Sequence, residues 1–201
     1  MFDNHNLIPV NINPIDLFKK WFVASSKSEV NDPNAMTLST VSKNNKPSSR
    51  IVLLKSYDEK GFVFYTNSNS RKGKSISSNS FVSLNFHWKS KKRQIRIEGV
   101  VKIINSNVAD KYFNSRPRES KIGAWASKQS SKLLDRSELN KRFVEVKKKY
   151  NNLSIPRPPY WNGYSVKPNL IEFWQEMQYR LHDRVVFKKI KNEWKSTRLF
   201  P

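Results

Sequence analysis

The 201-residue sequence contains no cysteine, which excludes a disulfide framework, a thiolate nucleophile and a thiolate metal site. Glycine is scarce, with five in the chain, and none falls in a GxGxxG or P-loop pattern, so glycine-rich phosphate loops are excluded as well. The three histidines, His5, His87 and His182, do not pair at metal-ligand spacing, so no metal is expected. No serine sits in a nucleophile elbow. No apolar run reaches membrane-spanning length, and the opening "MFDNHNLIPVNINP" lacks the basic and apolar blocks of a signal peptide. A soluble cytoplasmic protein is expected.

Acidic residues are also few. Sixteen against 38 basic residues give a net charge of +22. The basic residues are spread through "FKK", "SRKGK", "WKSKKR", "VKKKY" and "FKKIK" rather than gathered in a tail. We read them as solvated charge, with weak, salt-sensitive nucleic-acid binding and no specific nucleic-acid or membrane partner. Such a field also favours small anions. At 37% hydrophobic and 12% aromatic, the composition predicts one globular domain over 1–201, with residues 1–12 a flexible segment.

Asn13 followed by Pro14 predicts the start of a helix carrying Ile15, Phe18 and Phe22 on one side, with Leu17 and Trp21 adjoining. Strands are expected in "AMTLSTV", "SRIVLLK", "GFVFYTN", "FVSLNFHW", "RQIRIEGVVKII", "LIEFWQ", "YRLHDRVVFKK" and "EWKSTRLF". Helices are expected in "SNVADKYFNSR" and "DRSELNKRFVEVKKKY", with a proline-rich interruption at "IPRPPYW". Many strands with few helices, and no regular alternation of the two, predict an α+β protein around an antiparallel barrel.

Basic residues mixed with hydroxyl and aromatic groups recur in "SSRIVLLK", "YTNSNSRKGK", "KYFNSRPRES" and "SKQSS". Guanidinium forks and hydroxyls are the usual side-chain donors to phosphate, so two phosphate sites are expected. In "YRLHDR", Arg180, His182 and Arg184 alternate. On a strand they would share one face and need an anion or an electron-rich ring against them.

With these motifs in place, the sequence resembles the pyridoxamine 5'-phosphate oxidase family, in order, from about Asp32 to Pro201. The resemblance is carried by "IEFWQEMQYRLHDR", "SSRIVLLK", "FYTNSNSRKGK", "RQIRIEG", "YFNSRPRESKIGAWASKQSS" and the terminal "RLFP". It implies an antiparallel, Greek-key-like FMN-binding split β-barrel with peripheral helices, forming a homodimer with FMN between subunits. Carried over, Arg50, Arg71, Lys72 and Ser130 would hold the FMN phosphate. Tyr65, Thr66, Gln94 and Gln129 would line the flavin, with Ile51, Val52, Leu53, Leu54 and Lys55 along it and Trp174 and Arg184 completing the site. Lys55, Tyr112, Arg116 and Ser120 would grip the substrate phosphate, and Arg180 and His182 would stand over the pyridine ring as the catalytic pair.

The activity implied is oxidation of pyridoxamine 5'-phosphate and pyridoxine 5'-phosphate to pyridoxal 5'-phosphate, with O2 as acceptor and H2O2 as by-product. Two positions depart from the family pattern: Asn162 and Glu176 stand where glycine is usual, and the segment before the first helix is short. Two other classes fit parts of the sequence. One is a flavin-binding barrel without oxidase activity, against which the retained Lys55, Arg116, Arg180 and His182 count. The other is an RNA-binding barrel presenting "WKSKKRQIRIEG" as a charged aromatic strand.

Overall fold

The computed structural model describes residues 7–201. Its elements are α1 (Pro14–Ser26), β1 (Ala35–Val41), β2 (Pro47–Leu53), β3 (Ser56–Asp58), β4 (Gly61–Asn67) and α2 (Arg71–Ser78), then β5 (Phe81–Trp88) and β6 (Arg93–Ile103). There follow α3 (Ser106–Asn114), α4 (Arg118–Ala126), α5 (Arg136–Lys149), β7 (Trp161–Gln175), β8 (Asp183–Ile190) and β9 (Glu193–Leu199). The strands form one nine-stranded sheet in the order β2-β1-β5-β6-β7-β4-β3, with β8 and β9 continuing from β7. Every pairing is antiparallel. The expected antiparallel α+β architecture is what the chain adopts.

Strand β7 is the spine. On one side β6 runs along nearly all of it, from Arg93↔Gln175 to Ile103↔Tyr164. On the other, β4 pairs with Trp161–Val166 and β8 with Leu170–Gln175. Pro168, which has no N–H to give a ladder, sits where the partner changes, opposite a bulge at Glu98/Gly99. Gly99 fits there because a Cβ would come within 2.2 Å of the Lys167 carbonyl oxygen.

Helix α1 forms where the sequence predicts it. Asn13 caps it by accepting the Ile15 N–H at 2.8 Å, and Pro14 occupies the first turn. Phe18 is fully buried, with ring centroids of Phe62 at 4.9 Å, Tyr57 at 4.8 Å and Phe86 at 5.3 Å. These contacts bind α1 to the sheet's inner face. Asn13→Ala is expected to destabilise the protein by about 1 kcal/mol, read as a lower urea midpoint at unchanged slope.

The structure corrects several expectations. Residues 1–6 of the segment expected to be flexible lie outside the described residues. At Ile8, however, the chain is fastened: the residue is 2% exposed, its N–H reaches Asp183 at 2.7 Å, and Arg198 donates to its carbonyl at 2.7 Å. "YRLHDRVVFKK" is not one strand. Gln175 faces Asp183 across β7 and β8, so residues 176–182 must reverse the chain, and β8 begins only at Asp183. Arg180, His182 and Arg184 therefore do not alternate along a single strand face. Helices α2 and α4 and the short β3 go beyond the sequence reading. "RKGKSISS" offers one large apolar residue, and its helix starts because Ser70 caps it by accepting the Gly73 N–H at 3.3 Å. Among the described residues, no helix is long and apolar enough to cross a membrane.

Candidate active site

Three cations crowd the start of α2. Arg50, on β2, donates to Leu38 O at 3.1 Å, Thr40 Oγ1 at 2.8 Å and Ser48 O at 2.8 Å. Burial, then the Arg71 charge, lower its pKa from the ordinary value. Lys72 is 9% exposed, and among the described residues its ammonium reaches two hydroxyls, Thr66 at 3.3 Å and Ser70 at 3.4 Å. Burial, then the Arg50 charge, lower its pKa too. Among the described residues, none of Arg50, Arg71 and Lys72 is ion-paired with a carboxylate. Three cations without a carboxylate partner beside a helix N-terminus make a surround that could receive a phosphate dianion. Gly73 is required in it, because a Cβ would lie 2.3 Å from the Ser68 carbonyl oxygen. Thr66 also reaches Gln129 at 3.5 Å, and Ser130 beside it has a left-handed φ of 70°. Leu54 is buried, whereas Ile51, Leu53 and Lys55 are exposed along and just beyond β2, an end strand of the sheet, with Val52 between them half-buried.

A fourth cation lies across a stack of rings. Tyr65 stacks on Tyr112 at 4.1 Å and on Trp161 at 5.0 Å. Gly163 makes room for this, since a Cβ there would meet the Tyr65 ring at 2.7 Å. The Arg116 guanidinium lies over Trp161 at 4.9 Å and Phe113 at 5.5 Å. Its Nη1 is buried without a hydrogen-bond partner, and burial lowers its pKa. A partly desolvated guanidinium with an idle donor could receive a second anion. Ser120, on α4, is half-buried, and Lys55 is exposed.

The remaining predicted residues lie at the other end of β7. Gln94, Trp174 and Arg184 form one row across β6, β7 and β8. Glu172, 4% exposed, anchors that row by accepting from Arg96 at 2.7 Å and from Arg184 at 2.8 Å. The Trp174 and His182 rings lie 4.5 Å apart. His182 Nδ1 accepts the Met177 N–H at 3.2 Å, so Nε2 carries the proton of the neutral ring. Arg180 is exposed on the turn, and both it and Tyr179 hold left-handed φ values of 59° and 55°. Such strain in non-glycine residues clusters at functional sites. A groove of about 910 Å³ opens here, lined by Arg93, Gln175, Met177, His182, Arg198 and Phe200.

The two halves are far apart in one chain. Thr66 pairs with Asn162 and Arg184 with Trp174 on the same strand. Twelve residues of strand at about 3.3 Å each separate them by roughly 40 Å along β7. Sequence reasoning missed the platform Trp161 and the anchor Glu172. Both were visible in quoted motifs, but their roles depend on partners distant in sequence. Glu176, in a usual glycine position, pairs with Lys92 at 3.1 Å, and Asn162 accepts from Arg157 at 3.2 Å. Trp88, in the stretch suggested for RNA, is 2% exposed and donates to Pro33 O at 2.8 Å; it is core and offers no stacking surface.

The fold and its site define a split-barrel protein of the FMN-binding class. A similar fold occurs in a pyridoxamine 5'-phosphate oxidase-related, FMN-binding protein from Nostoc punctiforme, at TM-score 0.74 and 14% identity over 95% of this chain and 100% of that one. The family model for pyridoxamine 5'-phosphate oxidase matches residues 23–150, and that for the pyridoxine 5'-phosphate oxidase C-terminal dimerisation region matches 161–201. The chain belongs to the pyridoxamine 5'-phosphate oxidase family. It is 51% identical to the pyridoxine/pyridoxamine 5'-phosphate oxidase of Gluconobacter oxydans over 97% of this chain and 98% of that protein. It is 50% identical to the oxidase of that name from Bartonella henselae, over 94% and 92%. The crystal structure of PhzG from Burkholderia lata in complex with tetrahydrophenazine-1-carboxylic acid superposes at TM-score 0.90, with 31% identity over 100% of this chain and 98% of that one.

Proposed function

We propose that this chain is an FMN-dependent oxidase converting pyridoxamine 5'-phosphate and pyridoxine 5'-phosphate to pyridoxal 5'-phosphate. Bound FMN would supply the acceptor for the hydride of the substrate's 4' carbon and return the electrons to O2 as H2O2; with the amine substrate, water would then supply the aldehyde oxygen and ammonia would leave. The observation that carries the reading is the pair of uncompensated cationic sites, one at Arg50, Arg71 and Lys72 and one at Arg116, in a chain about half identical to named oxidases over nearly its full length. Two phosphate-bearing ligands call for two such sites.

The chain's own residues bind and orient. Arg50, Arg71, Lys72 and Ser130 would hold the cofactor phosphate, with Tyr65, Thr66 and Gln129 beside it and the β2 run Ile51–Lys55 along it. Arg116, with Lys55, Tyr112 and Ser120, would hold the substrate phosphate. Arg180 and His182 would orient the pyridine ring, His182 donating from Nε2; the gain is one of proximity. Gln94, Trp174 and Arg184 lie roughly 40 Å along β7 from Thr66. They would complete the site of a second copy, which supports a homodimer with FMN at its interface. The match of 161–201 to a dimerisation region supports the same arrangement.

Peroxide release under steady state tests the function. Turnover is expected with both phosphate esters and a far higher KM with pyridoxine lacking phosphate. Equal KM for both would remove the role given to Arg116.

A pH dependence follows from Lys72. Its pKa lies below the ordinary value in the flavin-free chain, so rising pH discharges it earlier than an exposed lysine. FMN affinity should fall as pH rises through that lowered value, by up to about tenfold, the scale of one charge-assisted contact. Over the same range the flavin-free chain should gain stability, because a buried ammonium is neutralised. Quenching of FMN fluorescence against pH, beside Lys72→Met, checks this; the variant should show no such fall.

A further inference from the structure

The segment between α5 and β7 carries an arginine with more partners than any contact in the proposed site uses. Arg157 donates from Nε to Asp110 at 2.6 Å and from Nη2 to Ser106 Oγ at 2.6 Å, both on α3. From Nη1 it donates to Trp161 O at 2.7 Å and Asn162 Oδ1 at 3.2 Å, both at the start of β7. Its side chain is 11% exposed. One planar fork thus joins the helix bearing Tyr112 to the strand end bearing Trp161, and those two elements meet again at Arg116. Arg116 follows α3 directly, its N–H bonded to Phe113 O at 3.2 Å, and its guanidinium rests on the Trp161 ring.

We propose that Arg157 is a positioning residue for the phosphate end of the substrate site, acting through Trp161 and α3 to hold the Arg116 guanidinium and the Tyr112 ring in register. This rests on the function proposed above. A lysine cannot replace it, because a single ammonium cannot bridge four acceptors on two elements in fixed directions. Asn162 belongs to the device. Where a glycine would leave Nη1 with the Trp161 carbonyl alone, the amide supplies a second acceptor.

The test compares Arg157→Lys and Arg157→Ala with the unaltered holoenzyme. For Arg157→Lys, the KM for pyridoxine 5'-phosphate should rise about tenfold, with kcat within about twofold and FMN per chain unchanged. Binding of pyridoxal 5'-phosphate, read from the difference spectrum of the bound flavin, should weaken by the same factor. kcat/KM for unphosphorylated pyridoxine should not move. Arg157→Ala should show the same pattern, more strongly, and Arg157→Lys keeps the test in hand if the alanine variant does not fold. The proposal is overturned if Arg157→Lys lowers the melting temperature but leaves KM and product binding untouched. It is also overturned if both substrates suffer equally or if flavin is lost. Because product binding is read without turnover, it decides the matter even for a chain that oxidises nothing, an outcome that would sink the oxidase reading separately.

Discussion

Replacing Arg116 with alanine should raise the KM for pyridoxine 5'-phosphate between about ten- and a hundredfold, with kcat nearly kept and FMN still bound. The size follows from one charge-assisted contact to phosphate, about 1.5–3 kcal/mol. The pattern follows from where the contact acts. A phosphate remote from the 4' carbon is held equally in ground and transition states, so its loss appears in KM. Retained flavin follows from geometry, since Arg116 lies over Trp161 and Phe113 and not among Arg50, Arg71 and Lys72. Its guanidinium is already partly desolvated with an idle Nη1, so the free protein loses little stability by the change. Arg71→Ala should behave oppositely, with low FMN occupancy and activity restored by excess FMN. Steady-state kinetics with flavin quantitation on both variants separates the sites. Loss of flavin from Arg116→Ala with retention by Arg71→Ala would reverse the assignment.

The largest effect on stability should come from Glu172→Ala, about 3 kcal/mol. Glu172 is buried between two arginines, at 2.7 Å from Arg96 and 2.8 Å from Arg184. Its removal leaves Arg184 without its counter-charge and Arg96 with Glu98 alone, at 4.0 Å. The figure sits at the low end for a broken buried pair because both arginines are partly exposed and can turn to water. Among the described residues, Arg184 would keep its bond to Phe200 O at 3.1 Å. FMN should therefore dissociate more readily as well. Glu172→Gln, which keeps the shape and one acceptor, should lie between. Urea denaturation of the flavin-free chains isolates the stability term; an unchanged midpoint for Glu172→Ala would show that the arginines do not depend on it.

Helix α1 was legible because its signals are local: a capping asparagine, a proline in the first turn, and Ile15 and Phe18 spaced for one face, although Trp21 is buried there and Phe22 only half-buried. The alternating strands were legible for the same reason. The 176–182 turn was not, because "YRLHDR" alternates as a strand would and only the facing of Gln175 and Asp183 across the hairpin shows that the chain must reverse. Helix α2 was hidden by its composition, since it is made by a serine cap and by a glycine that lets the backbone pass Ser68. The clusters "SSRIVLLK" and "YTNSNSRKGK" did announce an anion site. Their union through Arg50 and Lys72 depends on pairing between elements, as do the Glu172 anchor and the Arg157 fork, whose partners lie 76 and 47 residues away.

The roughly 40 Å of strand between the Thr66 and Trp174 positions along β7 is the structural support for the proposal that two copies would build each site.

The most direct test of the account is to mix the FMN-loaded protein with pyridoxine 5'-phosphate under nitrogen and follow the flavin absorbance. The yellow band should bleach in stoichiometric proportion to pyridoxal 5'-phosphate formed, then return on admission of air with release of hydrogen peroxide. A protein that holds FMN in full amount yet does not bleach with either phosphate ester would contradict it.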